Sequence, residues 1–351
     1  MSLIADFARL LRLTFALVFA CVVLPIDDAD AQTSIKFSLS RKIDGTVAPL
    51  LVAIDNGYFK AEGLDITIVE SSSPAVDEMV SSVVQRVADG EADMGFGDIN
   101  TLIRLRAQAR SVPVRAVYVL YNKPSYAVTG RKSRGILAPK NLEGATIGSS
   151  AADGAFAYWR IFARVNAIDD SKIKFESVSE PVREPMLAAG QVDAVIGLSF
   201  LSYIDLLDRG VPASDVTLML MGDYGVQLYG QSVIVSDKFA ASNPEAVKGC
   251  LRALTKGLKE TIARPQNAID SVIKRNAALR KTLELERLKL TIRDNVLTPE
   301  AKTLGFGAID LIRLEKSIDQ IETVYEYKTK PRAADIFDDS FLPSAVQRKT
   351  N

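Results

Sequence analysis

Apolar positions recur along this chain in two rhythms, a period of two in short runs and a helical period in longer ones, and their alternation predicts an α/β fold. Ile35–Leu39 predicts a first strand, Ala48–Phe59 a helix, and Leu64–Val69, with Leu64, Ile66 and Ile68 on one face, a second strand. The next helix has the clearest signals. Ser73 and Pro74 open it, Asp77 and Glu78 suit the positive end of its dipole, and Gly90 ends it. Its apolar stripe is Val76, Met79, Val80, Val83, Val84 and Val87. Strand Met94–Phe96, helix Ile99–Gln108 and strand Val114–Leu120 follow.

A second series begins after the basic loop Arg131–Gly135. It reads as strand Ala145–Gly148, helix Ala152–Val165, strand Ile173–Val178, helix Pro181–Ala189, strand Asp193–Gly197, helix Phe200–Asp208 and strand Val216–Leu220. Two β-like runs bracket it, Tyr126–Thr129 and Ser232–Val235. If these run side by side as connecting strands, the middle is a lobe inserted into a discontinuous first lobe. Residues 32–125 and 232–327 then form lobe I, 126–231 lobe II, and 328–351 a C-terminal tail. Each lobe is a mostly parallel sheet flanked by helices. Beyond residue 242 the chain is helical to about Glu326, opened by Ser242, Pro244 and Glu245. Pro331 and Pro343 mark a wrapped or loose ending.

The first residues change the picture of compartment. Arg9 and Arg12 precede an apolar run, Leu13 to Leu24, and Ala29-Asp30-Ala31 has the small-residue pattern of a cleavage site. Residues 1–31 read as a cleavable secretory signal, which implies a periplasmic protein. The run is too short for a bilayer, which needs roughly 20 residues. Without Cys21 only Cys250 remains, so no internal disulfide can form, and its apolar helical setting predicts a buried, inert thiol.

Charge and residue usage then exclude classes of chemistry. The 43 basic and 43 acidic residues balance without a basic tract, so the footprint of a nucleic-acid partner is missing. The sequence has no histidine. That removes Ser-His-Asp and Cys-His hydrolysis and His-ligated metal, and with no cysteine cluster no metal or cofactor is expected. Acid–base work by carboxylates or lysines stays open. The expectation is a protein that is not an enzyme.

The run Gly57-Tyr58-Phe59-Lys60-Ala61-Glu62-Gly63-Leu64-Asp65-Ile66 resembles the segment after the first helix in solute-binding proteins of the family serving nitrate, sulfonates, taurine and thiamine-pyrimidine precursors. Similar in order are Ala88-Asp89-Gly90-Glu91-Ala92-Asp93-Met94-Gly95-Phe96, Ala189-Gly190-Gln191-Val192-Asp193-Ala194 and Asn243-Pro244-Glu245-Ala246-Val247. The resemblance implies a type II-like periplasmic-binding-protein fold of two lobes joined by two crossing strands, closing on a small molecule. It also implies an ABC permease with its ATPase as partner, and a monomer. Some relatives make a pyrimidine; they resemble pyridoxal-phosphate-using enzymes with a histidine and a cysteine-rich motif. This chain has neither, and the expectation sets that reading aside. A periplasmic sensor subunit would need the same fold.

Ligands of open α/β sheets sit beyond the C-terminal strand ends, which selects five loops. The first carries Ser40, Arg41, Asp44, Gly45 and Thr46, and the second Gly97, Asp98 and Asn100. Ser149, Ser150, Asp153, Gly154 and Ala155 form the third, a helix start suited to an anionic or polar acceptor. Ser199 and Phe200 lie on the fourth, and Asp223, Tyr224 and Tyr229 on the fifth. Asp98 and Asp153 could instead simply cap helices, and the tyrosines pack the hinge. Four aspartates face only Arg41 and its neighbour Lys42 in these loops, which disfavours a bare inorganic anion. A small organic solute, sulfonate- or taurine-like or another donor-bearing zwitterion, fits better, with its donor end near Asp98 or Asp223 and its anionic end at Ser149–Ala155. The alternative is an aminopyrimidine or small aromatic ligand stacked on Tyr224 or Phe200.

Overall fold

A computed structural model of the chain describes residues 32–70, 82–108, 112–150 and 153–350. The expected secretory signal at residues 1–31 and the first half of the helix expected over 73–90 lie outside these residues.

The chain builds β1 (Thr33–Leu39), α1 (Ala48–Asp55), β2 (Leu64–Val69), α2 (Val83–Ala88), β3 (Met94–Asp98), α3 (Ile99–Arg106) and β4 (Val114–Val119). It then crosses into β5 (Tyr126–Arg131), β6 (Thr146–Ser149), α4 (Gly154–Ala157), α5 (Trp159–Val165), β7 (Lys174–Ser177), α6 (Glu180–Ala189), β8 (Ala194–Leu198), α7 (Ser199–Asp208) and β9 (Val216–Leu220). β10 (Gln231–Ser236) returns, followed by α8 (Asp237–Ser242), α9 (Pro244–Ala263), α10 (Pro265–Arg275) and α11 (Lys281–Thr291). After α11 come α12 (Pro299–Leu304), α13 (Leu311–Glu322), α14 (Ala333–Ile336) and α15 (Ala345–Arg348).

Two five-stranded sheets result, β2-β1-β3-β10-β4 and β7-β6-β8-β5-β9. Each is mixed for the same reason. β1 pairs parallel with β2 and β3, and β6 parallel with β7 and β8, as right-handed crossovers through helices require. The strand that carries the chain between sheets runs antiparallel to both neighbours, β10 in the first sheet and β5 in the second, so the two bracketing runs pair in different sheets and not side by side as expected. Both faces are covered, so the inner strands read as continuous apolar runs: β8 buries Ala194, Val195 and Ile196 completely. Val83, Val84 and Val87 are buried, the described part of the stripe expected there.

One local departure from the expected pattern bears on the site, and one open alternative is decided. The helix expected at Ala152–Val165 divides into α4 and α5, because Tyr158 leaves helical geometry (φ −104°, ψ 6°) between them. The ring of Tyr158 stacks on that of Tyr126 at 5.0 Å. The ending is wrapped rather than loose: Ala333, Ile336 and Phe337 are buried, and Phe337 bridges to Ala116 of β4.

Candidate functional site

The loops after β1 and β3 of the first lobe and after β6 and β8 of the second converge between the lobes. Arg41 crosses from the first lobe to Glu180 at the start of α6, with Nη2 2.9 Å from Oε1 and Nη1 3.2 Å from Oε2. Burial works against the charge on Glu180, but Arg41 outweighs it and holds the carboxyl below its ordinary range. Arg287 of α11 makes a second crossing, donating from Nη1 to the Phe200 carbonyl at 3.2 Å. Arg280 of the first lobe pairs with Asp208 at the end of α7. Among these bridges lies a cavity of about 360 Å³, lined by Glu180, Glu184, Leu201 and Asp208 on one side and Arg280, Glu284 and Arg287 on the other.

The β1 loop is held by the first lobe itself. Asp44 caps a short turn through one oxygen, Oδ1, which accepts from the Thr46 amide at 2.8 Å and its hydroxyl at 2.5 Å. Gly45 donates its N–H to Glu284 Oε2 at 2.7 Å. A Cβ on Gly45 would fall 2.5 Å from the Glu284 carbonyl oxygen, so only glycine lets the loop lie this close to α11. Ser40 is exposed at the cleft edge.

At the end of β3, Asp98 caps α3. Its Oδ1 accepts from the Asn100 amide at 2.6 Å and the Thr101 amide at 3.2 Å, and Oδ2 accepts from the Tyr126 hydroxyl. Burial raises the Asp98 pKa, opposed by these bonds. Asn100, fully buried, donates to the Tyr229 carbonyl at 2.6 Å. Gly97 lies in the sheet with a would-be Cβ 2.7 Å from Ile234.

In the second lobe Asp153 caps the single turn of α4, accepting from Ala155 N–H at 2.8 Å, and its second oxygen accepts from Arg183 at 2.5 Å. Arg183 has no exposed surface, also engages Glu184 at 2.9 Å, and lies against Gly197. Burial opposes its charge, yet Asp153 and Glu184 hold its pKa above the ordinary value. Ser149 is buried at the end of β6, and Ser150 and Gly154 flank it at intermediate depth. Ser199 and Phe200 open α7, both buried.

The fifth loop meets the second through the Tyr229 carbonyl, but its side chains are engaged elsewhere. Asp223, half exposed, pairs with Lys123. Tyr224 packs edge-on against Phe162 at 6.0 Å. Tyr229 is buried with its hydroxyl 2.5 Å from Glu300 and the Arg313 guanidinium over its ring. Trp159 is core, against Phe162 and Phe175.

The loop pattern missed Glu180 and Arg183, which lie on a helix, Tyr158 at the break between α4 and α5, and the buried Arg104, 4.9 Å from the Tyr325 ring centroid. One signal was available for Arg183: with Glu184 and Leu187 it occupies the buried stripe of α6, where a charge needs a partner.

Two α/β lobes with crossing strands and loops converging at the strand ends define the periplasmic-binding-protein class of fold. Its structural likeness is to the periplasmic aliphatic sulphonate binding protein SsuA from Escherichia coli, with TM-score 0.68 and 13% identity, covering 86% of this chain and 96% of that one. Residues 45–268 match the family described as NMT1/THI5 like, and the chain belongs to that family. A 4-amino-5-hydroxymethyl-2-methylpyrimidine phosphate synthase, THI13 of Saccharomyces cerevisiae, is 30% identical over 241 residues, 63% of this chain and 64% of that protein. The riboflavin-binding protein RibY of Chloroflexus aurantiacus is 25% identical over 226 residues, 64% of this chain and 61% of that protein. The chain thus spans less than two thirds of the length of these curated relatives.

These relatives correct the expectation that the chain is not an enzyme. Synthases are among its curated relatives, so a missing histidine and cysteine-rich motif do not separate it from an enzyme class. Acid–base chemistry needs no imidazole, since a buried carboxyl with a raised pKa against a phenol, as at Asp98 and Tyr126, can hold or move a proton.

Proposed function

We propose that this chain captures a small organic solute between its lobes in the periplasm and delivers it to the permease of an ABC importer. The observation that carries the reading is the convergence of loops from both lobes at their strand ends, bridged by Arg41 and Glu180. Ligand that touches both lobes stabilises the closed arrangement, and a permease can read closure. The structure's bonds refine the expected charge pattern. Asp153 and Asp223 each have a cation, and both oxygens of Asp98 are engaged. Asp44 uses only Oδ1, so its second oxygen is the acceptor best placed for a ligand donor.

Two donor-bearing classes fit, a taurine-like zwitterion and an aminopyrimidine. The second is favoured by the stacked Tyr126 and Tyr158 rings beside the site and by the pyrimidine product for which the synthase relatives are named. Thermal unfolding of the protein with taurine, alkanesulfonates and 4-amino-5-hydroxymethyl-2-methylpyrimidine tests the reading. A ligand at about 1,000 times its Kd stabilises by about 4 kcal/mol. Asp44→Asn should remove most of that gain. Stabilisation by nitrate or bicarbonate alone, or by nothing, would sink the proposal. Mass spectrometry of the recovered ligand tells capture from conversion.

A further inference from the structure

Resting on the interlobe reading above, the geometry points to an anion subsite at the N-terminus of α7, which receives the acidic oxygens of a ligand whose donor end lies in the first lobe. Two places in the fold are equivalent. β3 leads into α3 and β8 into α7, each strand being the central member of its sheet. The last residue of each strand is also the helix cap, with nearly the same backbone: φ −79°, ψ 124° at Asp98 and φ −85°, ψ 126° at Leu198. Only the side chain differs. Asp98 satisfies the amides of Asn100 and Thr101, whereas no side chain caps α7, so the corresponding amides of Phe200 and Leu201 keep their hydrogen-bonding capacity.

A second, independent observation lies on the same turn. Ser199 has no exposed surface, and among the described residues its hydroxyl has no hydrogen-bond partner. Helical side chains lean toward the N-terminus, which turns this hydroxyl toward the uncapped amides. An unpartnered buried hydroxyl is unfavourable, and a ligand acceptor would relieve it. The turn lies where the chain passes between the lobes, because the Ser199 N–H donates to the Ser125 carbonyl at 2.7 Å and the Phe200 carbonyl accepts from Arg287 of the first lobe. The positive end of the helix and the Arg183 guanidinium against Gly197 favour negative charge here. Asp153 and Glu184 oppose it, since they give Arg183 two carboxylates for one cation. A bare anion would therefore bind poorly, and an anionic group carried by a molecule with a cationic or donor end at Asp44 would bind well. The subsite thus differs from the loop at Ser149–Ala155, where α4 is a single turn already capped by Asp153.

Titration calorimetry on the full chain tests this with matched probes: taurine against ethanolamine, and 4-amino-5-hydroxymethyl-2-methylpyrimidine phosphate against the free alcohol. The acidic member of at least one pair should bind 10-fold or more tighter. Leu198→Asp, which places in α7 the cap that α3 already has, should erase that preference; Ser199→Ala should reduce it several-fold. Leu198→Ala, which removes only packing, should keep it. Thermal unfolding of each variant checks that it folds. If the probes bind with no preference for the acidic member, or if the preference survives both Leu198→Asp and Ser199→Ala, the subsite is overturned while interlobe capture stands. If none of the four binds, the ligand classes proposed above fail and the subsite fails with them.

Discussion

Asp98 shows how one side chain can serve the fold and the site at once. Its carboxylate, part-buried, holds the first turn of α3 and joins it to Tyr126 of β5. Asp98→Asn separates these duties, because Asn is as good a cap as Asp but carries no charge. The helix should survive with a stability change within about 1 kcal/mol, against a cost of about 1 kcal/mol or more for Asp98→Ala. The pH response should change more clearly. A carboxyl whose folded pKa is raised holds more protons in the native than in the unfolded state between its ordinary value and the raised one. Stability from this group therefore falls as pH rises through that window. Subtracting urea-unfolding free energies of Asp98→Asn from those of the native sequence, across pH 3 to 8, should leave a component that declines with pH. A difference that is flat or rises with pH would show that burial does not govern this carboxyl.

The link between the β1 loop and α6 behaves as an element-scale contact, since it closes one lobe on the other rather than stabilising either. Arg41 and Glu180 are 36% and 48% exposed, so their pair contributes on the order of 0.2–1 kcal/mol to closure and is screened by salt. Glu180→Gln should weaken ligand binding about 2- to 5-fold and flatten its salt dependence, both measurable by calorimetry at low and high salt. Because Arg41 lowers the Glu180 pKa, this contribution is complete above the ordinary carboxylate range and disappears as pH falls through the folded value. Unchanged affinity and salt slope would make the pair incidental to closure. The same two elements mark the boundary of what the sequence made legible. The strands and the stripe Val83, Val84, Val87 were readable, because burial of one face imposes a period along the chain. The loop positions of Arg41, Asp44 and Asp98 followed from where strands end. The partners were not readable, because Arg41 with Glu180 and Asp153 with Arg183 are separated by 139 and 30 residues and join only when the lobes form. The break at Tyr158 belongs with these, since the stacking on Tyr126 is a contact between elements that no local pattern encodes.

At the scale of the molecule, the far end of the chain finishes the first lobe. β4 is the edge of its sheet, and an unpaired edge invites pairing with another chain. Here it is covered: Val119 N–H donates to the Gly307 carbonyl and Asp338 N–H to the Ala116 carbonyl, each at 3.0 Å. Ile336 and Phe337, 0% and 5% exposed, fill the space against α3 and β4. The tail is thus part of the lobe's core as well as its edge cover, and the two roles can be told apart. Phe337→Ala leaves the backbone bridges in place and should cost about 3–5 kcal/mol, the usual penalty for emptying a buried phenylalanine site. Removing everything after Lys328 deletes the packing and the Asp338 bridge, while the Gly307 bridge stays, and should add concentration-dependent association, visible in light scattering, to a lower urea midpoint. Association by the truncated chain but not by Phe337→Ala would assign edge protection to the backbone bridges. A cost below about 1 kcal/mol for Phe337→Ala would mean that the pocket collapses without the ring. The tail would then act through its bridges alone, and ligand closure would rest on a first lobe completed by hydrogen bonds rather than by packing.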